Sequence, residues 1–258
     1  MNLSIRDQGG SGRALIWAHG LASSMALEDQ AGLIDWKEPA AGWRLVRYDA
    51  RGHGASPGSA SAADYRQPLL AADLLDLLDH LGIDRAVVGG ASMGAATALY
   101  AAVAAPERVE ALVVAVPPAG RGARRLPAAM LRTAATTVRL MGKGPFLRMA
   151  HLTTPPPILR GELEPFARSV VAGFDQLPRD RLAAILRAAA DHDLPADAAL
   201  RRIEVPALVL GWTTDPGHPA ATAEHVARLL PRAELHLAET GAEVRTWEGI
   251  VRSFLQGV

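Results

Sequence analysis

The residues best suited to chemistry lie at Gly90–Ala91–Ser92–Met93–Gly94. They form a G-x-S-x-G run between a short β-branched segment, Ala86–Gly89, and a small-residue segment, Ser92–Ala105. That context predicts a strand turning into a helix within a residue or two, with Ser92 held in a strained conformation and its hydroxyl exposed as a nucleophile. The positions two before and two after the serine crowd neighbouring backbone, and Gly90 and Gly94 meet that demand. Ala95 and Ala96 let the helix pack closely. The helix N-terminus directs its amides and positive dipole end at the hydroxyl oxygen.

The elements that would hold this turn alternate in type. Ala14–Ala18, Trp43–Tyr48 and Val109–Val116 read as buried strands. Pro68–Leu81 reads as a helix. Leu69, Leu70, Leu74, Leu75, Leu77, Leu78 and Leu81 make its apolar face, Asp73, Asp76 and Asp79 fall elsewhere, and Gly82 stops it. The middle of the chain breaks this rhythm at Pro117–Pro118. From Ala119 to about Arg202 the pattern is helical, with turns at Gly142–Pro145 and Pro155–Pro157 and a basic cluster at Arg121, Arg124 and Arg125. Alternation resumes with Ala207–Gly211 (strand), Pro219–Leu230 (helix), Glu234–Ala238 (strand) and a closing helix, Glu243–Leu255. The expected fold class is α/β, a mostly parallel, doubly wound sheet. Residues 1–118 and 203–258 would form the core, and 119–202 a helical lid insertion.

Composition narrows the function. Lys+Arg 27 balances Asp+Glu 27, which argues against a nucleic-acid partner. Cysteine is absent, excluding thiolate catalysis, disulfides and Cys-based zinc sites. Met1–Gly10 has no apolar run, so a cytoplasmic location is expected. Ala86–Pro106 is uncharged and near spanning length, but Gly89, Gly90 and Gly94 split it into strand, turn and helix, so no membrane partner is expected.

Four motifs in order resemble the α/β-hydrolase fold superfamily over nearly the whole chain. Trp17–Leu21 (Trp-Ala-His-Gly-Leu) is similar to its His-Gly oxyanion loop. Tyr48–Ser56 is similar to its Asp-x-Arg-Gly-x-Gly-x-Ser loop. The Ser92 turn follows, and then a helical stretch where that family inserts a lid. The resemblance implies that the backbone N–H groups of Leu21 and Met93 form an oxyanion hole. It implies structural roles for His19 and for Asp49, Arg51 and His53, with catalysis by His53 as the alternative. It also points to Asp215, after the strand Ala207–Gly211, as the acid, with helix capping as the alternative role.

The base departs from the family pattern. Its usual place, behind a Gly after the last strand, is Ala242, which cannot take a proton; Glu243 would already belong to the closing helix. In a serine triad studied elsewhere, loss of the histidine costs about a millionfold in turnover. His80 and His225 lie on helices, His236 on a strand and His151 in the insertion, while Asp191–His192–Asp193 cannot share one ion from adjacent helical positions. His218, three residues after Asp215 on one loop, is the remaining candidate; it could accept from Ser92 while Asp215 orients it, or simply cap the helix at Pro219. The expected activity is hydrolysis of an ester, thioester or lactone of a small-to-medium apolar molecule, by Ser92, Asp215 and His218, without metal or organic cofactor. A non-hydrolytic enzyme on the same fold, or a ligand-binding protein with a vestigial turn, stands as the alternative.

Overall fold

The computed structural model describes residues 2–10 and 12–258. Its strands are β1 (Ile5–Asp7), β2 (Ala14–Ala18), β3 (Arg44–Tyr48), β4 (Ala86–Ala91), β5 (Val109–Ala115), β6 (Ala207–Trp212) and β7 (Ala233–Ala238). Their helices in chain order are α1 (Met25–Ala31), α2 (Gln67–His80), α3 (Met93–Ala104), α4 (Arg125–Met141), α5 (Lys143–Leu152), α6 (Glu164–Gln176), α7 (Arg179–Asp191), α8 (Asp197–Leu200), α9 (Ala220–Leu229), α10 (Gly241–Arg245) and α11 (Trp247–Gly257). The sheet order is β1-β3-β2-β4-β5-β6-β7, with β1 antiparallel to β3 and the other pairs parallel. After β3 the chain crosses back over β2 to reach β4. That reversal opens a crevice at the carboxyl ends of β2 and β4, the place where sheets of this kind bind ligands.

The central strands are apolar throughout because both faces are covered. One face packs on α2, α3 and α9 through Leu74, Leu77, Leu78, Leu99 and Val226. The other packs on α11 through Trp247, Val251 and Leu255. A third cluster joins α4 to α7 through Val138, Leu182, Ile185 and Leu186, and reaches Tyr65. Between β5 and β6 the described elements are all helical. The uncharged stretch near Ala86–Pro106 is β4 followed by α3, and no helix among the described residues is long and apolar enough to cross a membrane.

Several details depart from the sequence expectations. The first segment contributes an edge strand, β1, whose three residues offer too little pattern to read. α1 is a further addition, started by Ser24, whose hydroxyl accepts from the Leu27 amide at 3.2 Å. The turn expected at Gly142–Pro145 shrinks to Gly142 (φ +83), because α5 begins at Lys143. Pro145 fits there, since the first amides of a helix lack intrahelical acceptors. The closing helix is two helices, α10 and α11, separated at Thr246, whose hydroxyl donates to the Glu243 carbonyl. Val116, expected within a strand, has φ +41 and ends β5 instead. Arg121's side chain, part of the expected basic cluster, lies outside the described residues.

Candidate active site

Ser92 joins β4 to α3 with φ +52 and ψ −108, a region that costs a non-glycine residue about 1–3 kcal/mol. The surroundings enforce it. Its amide donates to the Ala115 carbonyl at 3.0 Å, and its carbonyl accepts from Ala96 at 3.0 Å. A Cβ on Gly94 would stand 2.0 Å from the Ala18 carbonyl oxygen, and one on Gly90 would stand 2.4 Å from the Gly94 carbonyl carbon. Both glycines are therefore required by contact.

The loop after β6 brings the other two polar groups to this turn. Ser92 Oγ lies 2.8 Å from His218 Nε2, and His218 Nδ1 lies 2.7 Å from Asp215 Oδ2. An ionised carboxylate only accepts, so the proton sits on Nδ1 and Nε2 is free to accept from the Ser92 hydroxyl. Asp215 is buried and its remaining valence is filled: Oδ1 accepts from the Gly217 amide at 2.8 Å, and Oδ2 from the Trp212 indole N–H at 3.2 Å. Burial by itself pushes this carboxyl up. The hydrogen bond and charge of His218, with the Gly217 and Trp212 donors, outweigh it and hold Asp215 below the usual carboxylate range. Trp212 also stacks on Trp247 with centroids 6.1 Å apart and meets the His218 ring edge-on at 6.0 Å.

This loop is pinned from the helical segment. The Ala119 amide donates to the Gly217 carbonyl at 2.9 Å, and the Ile158 amide to Thr214 Oγ1 at 3.2 Å. Thr214 itself has φ +63. On the opposite side, Gly20 approaches the serine so closely that an added Cβ would be 3.8 Å from Ser92 Cβ, which brings Leu21 to the same crevice as Met93. α6 presses on that loop: a Cβ on Gly173 would meet the Ala22 carbonyl oxygen at 1.7 Å. Trp212, Thr214 and Gly173 were not anticipated from the sequence. Tryptophan at a strand end gives no chemical signal of its own, and a lone glycine inside a helix looks like ordinary variation.

The other candidates are not members of the Ser92–His218–Asp215 relay, although His53, His151 and His192 line the cavity described below. His19 is buried and neutral, its Nδ1–H donating to the Gly20 carbonyl at 2.7 Å and its Nε2 accepting from the Ala50 amide at 3.0 Å. Burial pulls it down to about 4. His53 is buried beside it, lowered to about 3 chiefly by burial, with Nδ1 bonded to the Arg51 carbonyl at 3.0 Å. Asp49 accepts from the amides of Met25 at 2.8 Å and Ala55 at 2.9 Å, and Arg51 pairs with Asp73. These groups fasten the turns behind the crevice. His225 faces Asp197 at 3.3 Å, while His80 and His151 are exposed. Ala242 is exposed on α10, whose first turn is closed by Thr240 Oγ1 accepting from the Glu243 amide at 3.2 Å. Neither Ala242 nor Glu243 lines the cavity described next.

Above Ser92 and His218 opens a cavity of about 1590 Å³. Its walls are mostly apolar, with Met130, Phe146, Met149, Phe166, Val170 and Phe174 among them, and come largely from α4 to α7. Gln67, Arg124, His192 and Asp193 add polar groups. Such an arrangement can bind an apolar molecule over an activated hydroxyl.

Comparison with known proteins identifies the family and the fold. Residues 13–244 match the family model described as alpha/beta hydrolase fold. Over 230 residues the chain is 27% identical to 3-oxoadipate enol-lactonase 2 of Acinetobacter baylyi, covering 88% of this chain and 80% of that protein. The crystal structure of a hydrolase from Pseudomonas aeruginosa superposes with a TM-score of 0.78 at 30% identity, covering 98% of this chain and 94% of the other. An enol-lactonase from Burkholderia xenovorans shares the fold, with a TM-score of 0.78 at 24% identity over 98% of this chain and 96% of its own.

Proposed function

The chain belongs to the α/β-hydrolase fold family, and from that premise we propose that it is a serine hydrolase cleaving an ester, thioester or lactone of a small-to-medium apolar substrate. The observation that carries this reading is the continuous relay from Ser92 Oγ to His218 Nε2 at 2.8 Å and from His218 Nδ1 to Asp215 Oδ2 at 2.7 Å. The base comes from the same loop as the acid, so Ala242 need not supply one.

In this mechanism Ser92 Oγ attacks the substrate carbonyl carbon while its proton passes to His218 Nε2. The negative charge on the carbonyl oxygen is met by the Leu21 and Met93 amides. Collapse of the tetrahedral adduct breaks the bond to the leaving oxygen or sulfur, which takes the proton from His218. An acyl group then remains on Ser92. A water molecule, deprotonated by His218, attacks that acyl group, and its collapse returns the proton to Ser92 and frees the acid. Asp215 stays ionised and steadies the imidazolium at both stages. The helices of residues 119–202 act as a lid whose apolar inner walls hold the substrate. The enol-lactonase name of one relative is consistent with a lactone among the substrates.

A fluorophosphonate probe and a panel of short-chain aryl esters test this reading. Labelling and turnover are expected in the parent and absent in Ser92→Ala. His218→Ala is expected to lose several orders of magnitude in turnover, on the order of a millionfold as in triads elsewhere. Labelling that survives His218→Ala at the parent's rate removes His218 from the mechanism. A parent that is never labelled favours cofactor-free, non-hydrolytic chemistry or ligand binding in the same cavity, a reading that the exposed Ala242 keeps in play.

A further inference from the structure

Between Glu110 and Glu162 the sequence contains no Asp or Glu, while arginines recur throughout. Arg125, Arg132 and Arg139 stand seven residues apart along α4, so they form one row. Arg132 is engaged by Asp191. Arg125, Arg139 and Arg148 are exposed and make no ion pair among the described residues. Beside the row lies a second feature. Leu126, Met130, Leu140 and Met141 on α4, with Met149 and Leu152 on α5, are each between 63% and 77% exposed. Outside these two helices, Leu237 at 37% is the one other large apolar side chain counted as exposed among the described residues. Leu126, Met130 and Met149 also line the cavity over Ser92, so the apolar patch is continuous with the cavity wall.

Water-facing leucine and methionine are unfavourable, at about 25 cal/mol for each Å² of apolar surface. An apolar strip flanked by unpaired arginines is the pattern that lies in a lipid–water interface and is drawn to anionic headgroups. The charge also selects against another occupant: two copies of this face would bring like charges together. We propose that the α4–α5 face is a docking surface for an anionic lipid bilayer, continuous with the wall of the cavity over Ser92. The sequence reading expected no membrane partner because Ala86–Pro106 splits into strand, turn and helix, and that test for a spanning segment cannot register a surface patch of this kind.

Adsorption requires no turnover, so its test is separate from the hydrolytic reading. The full-length protein is sedimented with vesicles of phosphatidylcholine alone and with vesicles that also contain phosphatidylglycerol. Co-sedimentation with the anionic vesicles, weakened by added salt, is expected. Arg139→Glu with Arg148→Glu should weaken it by about thirtyfold or more, at roughly 1 kcal/mol for each basic side chain near the surface. Leu140→Ser with Leu152→Ser should weaken it as well, whereas Arg228→Glu, at an exposed position of α9, should not. Circular dichroism confirms that each variant is folded. Equal binding to both vesicle types, binding to neither, equal loss in Arg228→Glu, or a concentration-dependent dimer abolished by the leucine changes would each overturn the proposal.

Discussion

Trp212 takes no part in the bond changes of the proposed mechanism, yet it donates to the same Asp215 oxygen that orients His218. Trp212→Phe keeps most of the packing and deletes that donor. A hydrogen bond to a charged group contributes about 1.5–3 kcal/mol, so kcat/KM should fall about tenfold or more, carried by kcat with KM little changed. With one donor fewer, the Asp215 carboxyl rises toward its usual range. A kcat unchanged in Trp212→Phe would make Trp212 a packing residue only. Asp215→Asn should cost on the order of ten-thousandfold in kcat, since an amide can present the wrong partner to Nδ1.

Among the elements, α6 and α10 make separable predictions. Gly173→Ala drives a methyl into the Ala22 carbonyl, so α6 must withdraw from the loop that carries Leu21. Misplacement by an ångström at a reacting centre costs on the order of a hundredfold in rate. The stability loss should stay within about 1–3 kcal/mol, the range of overpacking, and a thermal melt beside steady-state kinetics reads both. Ala242→His in a His218→Ala background should restore no turnover, because residue 242 faces solvent on α10. These cases mark where the sequence was legible. The strand β2, the Ser92 turn and the Gly90 and Gly94 contacts follow from local pattern, because long buried runs and glycine demands leave strong traces. The Asp215–His218 pairing was readable as a spacing of three residues on one loop, with Ser92 read from its own glycine-flanked run and Asp215 marked as the acid only through the family resemblance. What stayed hidden depended on contacts between distant segments: the Ala119 and Ile158 ties to that loop, the fit of Gly173, and the break at Thr246. The three-residue β1 was hidden by its length, since its pairing with β3 is what makes it a strand.

For the molecule as a whole, pH is the sharpest probe of the buried histidines. His19 and His53 are neutral when folded, lowered to about 4 and about 3 mainly by burial. An unfolded histidine titrates near its ordinary value of 6.5, so below that the unfolded chain binds more protons and stability falls as pH falls. Their contribution is intact above pH ~6.5 and is lost progressively down to the folded values; each should cost about 2 kcal/mol between pH 7 and pH 5. Urea denaturation at the two pH values measures the drop, and His19→Gln should flatten the dependence if it folds. A pH-independent midpoint across this window would mean that these rings are protonated in the native state.

The proposed reactive side chains, Ser92, Asp215 and His218, all precede Pro219, and only scaffold follows in α9, β7, α10 and α11. A cut at the Pro231–Arg232 turn would therefore leave the whole chemistry on the larger fragment and the edge strand β7 with its two helices on the smaller. Hydrolysis regained on mixing would report reassembly of the sheet edge, making the protein a natural candidate for a split reporter.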